Sequence, residues 1–342
     1  MSANARLFAL RQLTGMTQKA FAPIIGIQQA HYSQIEKGLR PLTAPQQELL
    51  IERFQLEDSF FDEEDLPYGA ASLNYRRRQL TAKQVAMATV TFGLTEQSLT
   101  KGQGPISYEP FYDGPASSKR TPTQIEQFAI ETRRRIGMQL DKPVNNVTRC
   151  MERLGIFVAP LQNPLLDLTK IDGISTPVYR YRPFVSALNY DVPGDRFRFS
   201  AAHELGHVVL HSSGHDGSLS DREGEADRFA AEFLMPRKVF DGLLSPDLTL
   251  NAFAQLKAQW GVSIQALVRR SFDLGFIDRE RYRSLNIQIA NRGWKKSEPV
   301  DIPVERPIRS APLFLSKLTQ PCSASGPAGL ANVVDLNSYR SL

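Results

Sequence analysis

Apolar positions along this chain fall into short amphipathic segments separated by turn residues. Thr17-Gln18-Lys19-Ala20-Phe21-Ala22 opens a short helix, Gly26 marks a turn, and Gln28 to Lys37 forms the next helix, closed by Gly38. Another helix starts near Thr81. Gly102 to Pro122 carries Pro105, Pro110, Pro115 and Pro122 with three glycines, and is expected to be a linker. Beyond it, Arg196 to Leu210 predicts a helix with a strongly apolar side, ended by Ser212-Ser213-Gly214. Leu250 to Leu274 predicts two amphipathic helices broken at Gly261-Val262-Ser263, with Ser263 capping the second. After Trp294 the chain is proline-rich. Its apolar piece Ala311-Pro312-Leu313-Phe314-Leu315 would add a strand to the domain edge or block the cleft, and the last twenty residues are expected to be poorly ordered. No apolar run approaches the roughly 18 residues of a membrane span, and no internal repeat is present.

The helix predicted from Arg196 to Leu210 holds the chemistry. His203-Glu204-Leu205-Gly206-His207 lies on the predicted helix, where side chains four apart share a face. Two imidazoles so placed can bind one Zn²⁺, and Glu204 can polarise a water beside it. Gly206, a poor helix former, would admit a neighbouring backbone or a substrate. His211 continues the four-residue spacing and is read as structural; His215 falls beyond the expected helix end. A catalytic zinc usually takes a third protein ligand. The metzincin solution would need glycine at 210 and histidine at 213, where this chain has Leu210 and Ser213. Ser220 to Ala231 offers a glutamate instead: Glu223 as ligand, with Asp227 one turn later accepting the free ring N–H of His203. Ser220 and Glu223 also form a capping-box pattern that would occupy Glu223 at the helix start. Glu225, about 200° round the helix from Glu223, is the fallback.

Phe197 to Leu210, followed by Glu223-x-x-Ala226-Asp227-x-Phe229-Ala230-Ala231-x-x-Leu234-Met235-Pro236, resembles the ImmA/IrrE family of metallopeptidases, the M78 peptidases. The resemblance implies His203, His207 and Glu223 as zinc ligands and Glu204 as general base. Asp227 stands where the family often has Asn. The similarity runs more weakly from about 123 to 300, through a leading helix (Ile125 to Ile136), an edge segment Gly155-Ile156-Phe157-Val158, and Arg292-Gly293-Trp294 with Glu298-Pro299. It also implies cleavage of a repressor or other regulatory protein.

At the amino terminus, two short helices joined by a glycine-containing turn are the helix-turn-helix pattern. The second would enter the major groove. Gln28, Gln29 and Gln34 suit that position, because a glutamine amide pairs bidentately with adenine. They are expected exposed on one face, with Gln18 beside them and His31 as a surface or phosphate contact. Thr17-Gln18 through Ile35-Glu36-Lys37-Gly38 resembles the Cro/C1 (XRE) repressor domains over roughly residues 4 to 60. A small helical bundle that binds protein is the alternative.

The expected fold class is therefore mainly α with a small β-sheet (α+β): a five-helix-type helix-turn-helix domain at 1–65, a helical connector and linker at 66–122, a zincin-like peptidase domain at 123–300 and an extension at 301–342. A hydrophobic content of 42% is ample for such cores. Charge supports DNA binding only mildly. Residues 1–56 hold six Lys/Arg against three Glu, whereas Glu57 to Asp65 holds six acids. Most of the net +5 comes from residues 246–342, with thirteen Lys/Arg and eight acids, so the basic balance is no footprint of the helix-turn-helix. Arg76-Arg77-Arg78 either touches DNA or flanks the next helix. Cys150 and Cys322 have no metal spacing and form no disulfide framework, which fits a reducing cytosol, and no secretory signal is visible. Two readings stay open. One is a cytoplasmic zinc endopeptidase tethered to double-stranded operator DNA, acting on a repressor or regulatory protein. The other is a regulator whose zincin fold senses a ligand or partner without cutting. A toxin–antitoxin component is a further alternative, and a homodimer is one open assembly. Tyr179, Tyr181 and Tyr190 are candidates by residue type for stabilising an oxyanion.

Overall fold

The computed structural model describes residues 3–63, 66, 80–100, 119–176, 184–212 and 217–307. The readings that concern Arg76-Arg77-Arg78, most of the 102–122 linker, Tyr179, Tyr181, His215, Ala311–Leu315 and Cys322 lie outside these residues. The described part is mainly helical with one small sheet, the α+β class expected.

The amino-terminal bundle comprises α1 (Ala3–Thr14), α2 (Gln18–Phe21), a 3-10 turn (Ala22–Ile25), α3 (Gln29–Glu36) and α4 (Ala44–Phe54). The Thr17 hydroxyl accepts the Ala20 N–H to start α2. Gly26, at φ 67°, then makes the left-handed turn that a side chain would strain. Leu7, Leu10, Phe21, Ile25, Tyr32, Ile35 and Leu50 close the core. Among the described residues up to 63 the bundle has four α-helices. The helix that completes its packing is α5 (Ala82–Thr100), which the sequence reading placed in a connector.

α5 joins the two halves of the molecule. Val90 meets Ala9 and Leu13 of α1. Met87, Ala88, Phe92 and Leu99 pack on Ala159, Ile174, Val185 and Ala187 of the sheet. Covered on both sides, the helix still carries Thr89, Thr91 and Thr95, whose hydroxyls donate to carbonyls one turn earlier. The Asn163 amide donates to Leu13 O (3.3 Å) and Thr91 Oγ1 (3.0 Å), fastening α1, α5 and the loop after the first strand at one point.

The larger half begins with α6 (Pro122–Arg135), capped by Thr121 and Gln124, and α7 (Val147–Arg153). Strands β1 (Phe157–Pro160), β2 (Gly173–Ser175) and β3 (Val185–Leu188) order as β1-β3-β2. β1 runs parallel to β3 with Phe157 opposite Val185, and β2 antiparallel with Gly173 opposite Leu188. The expected edge segment is indeed an edge strand. One face of the sheet is covered by α5 and the other by α8 (Gly194–His211), which crosses α9 (Leu219–Leu234). α10 (Arg237–Phe240), α11 (Leu250–Trp260), α12 (Ile264–Asp273) and α13 (Arg279–Asn291) complete the domain. Gly261, at φ 66°, separates α11 from α12, and Ser263 caps α12 as the sequence predicts.

Residues 301–307, read from sequence as part of an extension, are bound into this core. Glu305 accepts the Val147 and Thr148 N–H groups at the start of α7 and pairs with Arg198 at 2.6 Å. Just before it, Glu298 caps α12 through the Ile264 N–H and pairs with Lys257, itself bound to Asp195. Two buried carboxylates at two helix N-termini thus hold the last described segment across the root of α8.

Candidate metal centre and DNA-reading helix

α8 runs through the middle of the domain, so its HExxH stripe is buried: the side chains of His203 and His207 are 4% and 0% exposed. Gly206 allows this. A Cβ there would lie 3.1 Å from Phe229 Cδ1 and 3.2 Å from Ala226 Cα, so the glycine admits the backbone of α9. With Ala226 opposite, the two helices approach closely enough for α9 to deliver carboxylates to the histidines.

The α9 cap settles the competition for Glu223. Ser218, not Ser220, is the cap residue, and its hydroxyl accepts the Asp221 N–H. Glu223 therefore stands inside the helix and turns toward α8. Its Oε1 lies 3.2 Å from His207 Nε2 and its Oε2 3.5 Å from His203 Nε2. The two Nε2 atoms are 3.0 Å apart. Donors on a tetrahedral zinc at its usual bond lengths stand about 3.3 Å from one another, so this triangle has the right size. Both Glu223 oxygens are buried without a hydrogen-bond partner. Two imidazole nitrogens and an orphaned carboxylate facing one point form a donor set of the kind zinc takes.

The neighbours prepare that set. Asp227 Oδ1 lies 2.9 Å from His203 Nδ1, where it accepts the ring N–H, so that once the ring is neutral its Nε2 lone pair faces the centre. Burial opposes charge on His203, but Asp227 and Glu223 outweigh it and push its pKa up to about 10. Burial dominates at His207 and pushes it down to about 4. Burial raises Glu223, yet the two imidazoles hold it well below the usual carboxylate range. Glu204 is pushed up to about 7, chiefly by burial and against the attraction of His203. Its Oε2 is buried with no hydrogen-bond partner. A carboxylate poised near neutrality beside a cation site can take and return a proton.

Sequence reasoning missed Gly173 on β2. A Cβ there would stand 2.8 Å from Glu204 Cγ and 3.1 Å from its Oε1, so only glycine lets the edge strand pass the base this closely. Glu225, the fallback ligand, points elsewhere and pairs with Arg120 and His211. Tyr190 packs its ring on Phe197 with centroids 4.7 Å apart. A groove of about 1350 Å³ runs beside the centre, reaching it at Asp172 and Asp227 and continuing past Phe199, Arg228 and Arg269.

At the other end of the molecule, Gln28, Gln29 and Gln34 are exposed and His31 is half-buried. Gln28 is the cap residue of α3 rather than its first turn. The expectation of one shared face needs correction: at about 100° per residue, Gln34 lies about 140° round from Gln29, on the His31 side. Gln18 is not a free neighbour. Its amide donates to Glu36 at 2.7 Å, which is held by Arg11, and its oxygen accepts from Gln29 at 3.3 Å.

Comparison with known proteins identifies both ends. Residues 7–55 match a helix-turn-helix family model. Residues 151–272 match that of the peptidase M78 family, described as an IrrE N-terminal-like domain. A stretch of 58 residues is 41% identical to the HTH-type transcriptional regulator PrpR of Mycobacterium tuberculosis. That match covers 17% of this chain and 12% of the relative's length.

Proposed function

We propose that this chain, a helix-turn-helix domain joined to an IrrE N-terminal-like domain of the peptidase M78 family, is a cytoplasmic transcription regulator with zinc endopeptidase activity. Its substrate is a repressor or other regulatory protein, and its domains follow the boundaries expected from sequence, except that α5 packs with the amino-terminal bundle and residues 301–307 join the peptidase. The observation that carries the reading is the convergence of His203, His207 and Glu223 on one point, with the orphaned oxygen of Glu204 beside them. Bound there, zinc would supply Lewis acidity toward a scissile carbonyl and an acidified water. Asp227 keeps the lone pair of His203 aimed inward. Glu204 takes the proton of the attacking water and returns it to the leaving amine. Burial of this group excludes bulk water from the proton path. The adjoining groove, about 1350 Å³ in volume, is where a peptide substrate would lie. Gln28 and Gln29 read operator bases, with Gln18 holding Gln29 in place.

A second reading, a sensor that cuts nothing, draws on α5 and Asn163, which tie the DNA-reading half directly to the sheet that borders Glu204. Replacing the base separates the two. Glu204→Gln keeps shape and ligands, so zinc content and operator binding should stay at wild-type levels. Cleavage of co-expressed regulators, mapped by mass spectrometry, should fall by at least about 10²-fold. Regulation in cells that is unaltered by Glu204→Gln would favour the sensor.

A further inference from the structure

One turn beyond the ligands, α8 carries a buried row of polar groups that proteolysis itself does not use. His211 continues the stripe of His203 and His207. Nδ1 of His211 lies 3.0 Å from Nδ1 of His207, and its Nε2 lies 3.2 Å from Oε2 of Glu225. Glu225 in turn accepts the backbone N–H of Arg120 at 2.6 Å and its guanidinium at 3.3 Å. The His211, Glu225 and Arg120 side chains are only 1%, 3% and 2% exposed. Groups this deep are tolerated when each donor meets an acceptor.

Counting protons leaves one arrangement. With Nε2 of His207 given to a metal, the only N–H of that ring is at Nδ1, and it must donate. Nδ1 of His211 must then accept, which puts the His211 proton on Nε2, facing the Glu225 carboxylate. Glu225, an acceptor only, receives His211 from one side and Arg120 from the other. The opposite tautomer of His211 would set two N–H groups against each other and turn a bare lone pair toward the carboxylate.

We propose that His211 and Glu225 are positioning residues for His207: they fix its tautomer and ring plane so that Nε2 faces the metal, and Arg120 anchors the far end. This rests on the metal-site reading above. The two ligand histidines are thus held differently. A half-exposed aspartate orients His203 directly, and a buried relay through a second imidazole orients His207.

The test uses the full chain as wild type, His211→Leu and His211→Asn. Zinc affinity is measured by competition with a chromophoric chelator, and ligand geometry by the visible bands after Co²⁺ substitution. His211→Leu should weaken zinc binding by about 10- to 100-fold and shift the Co²⁺ bands. His211→Asn, whose amide oxygen replaces the Nδ1 acceptor, should recover most of both. Unchanged affinity and bands in His211→Leu would overturn the proposal, as would a loss that Asn does not rescue. A third measurement needs no variant: long-range ¹H–¹⁵N spectra of the zinc-loaded wild type should show His211 protonated at Nε2, and a proton at Nδ1 would overturn the relay. A wild type that binds no zinc would instead overturn the metal site itself, and this inference with it.

Discussion

The helix-turn-helix end and the candidate metal centre pose opposite problems. Gln28 caps and Gln29 opens a helix of eight residues, both exposed, and an amide chain runs from Glu36 through Gln18 to Gln29. His203 and His207 lie inside the domain on a helix of eighteen residues, each oriented through its second ring nitrogen. A surface that reads bases works by side chains left available to a partner. A metal centre works by side chains whose other options have been removed. The difference predicts which perturbations each end will feel.

The largest contrast is with pH. Metal-free His203 holds its proton up to about 10, because Asp227 and Glu223 outweigh burial. Zinc needs the neutral ring, so below that pH binding must expel the proton, and affinity rises with pH. About a tenfold gain per unit is expected between pH 7 and 8.5, read by chelator competition. Glutamine amides do not titrate, so operator affinity at fixed salt should be flat across the same window. A flat zinc curve would mean that His203 is already neutral.

Next comes the helix crossing. In Gly206→Val, added atoms meet the backbone of Ala226, which cannot swing aside. The larger domain should lose about 1–3 kcal/mol of stability, measured by chemical unfolding, together with zinc. Operator binding by the amino-terminal bundle should persist; its loss would show that the two halves unfold as one unit.

The smallest effect concerns the reading face. Replacing Gln28 and Gln29 with alanine should cost about 1–3 kcal/mol of base discrimination per lost pair and leave nonspecific binding and zinc content unchanged. An unaltered footprint in a binding-site selection would favour the protein-binding alternative for the bundle.

What could be read from sequence follows the same division. His203, Glu204 and His207 share one helix, so spacing alone brings them together. Glu223 and Asp227 share the next helix and were legible as a pair, but their helix start was not: Ser218 and Ser220 are equally good caps, and only the fold selects Ser218. Gly173 lies 31 positions before Glu204 and meets it only because β2 is the outer strand of the sheet. Arg120 reaches Glu225 across 105 residues, a contact no local pattern encodes. From sequence α5 reads as part of a connector, because its partners, α1 and the sheet, lie far from it along the chain. Its threonine hydroxyls satisfy the helix's own carbonyls, which frees both faces to pack. On α3, residue type marked the glutamines, while the helical turn separates Gln34 from Gln29.

The central claim is that three side chains from α8 and α9 hold one zinc ion. Metal content by mass spectrometry, joined to zinc-edge X-ray absorption on the purified full chain, tests it most directly. The wild type should carry one zinc per chain, with two imidazole nitrogens and a carboxylate oxygen at about 2.0–2.2 Å, and Glu223→Ala should fail to retain it through dialysis. Zinc held at full stoichiometry in Glu223→Ala, with an unchanged absorption spectrum, would contradict the account.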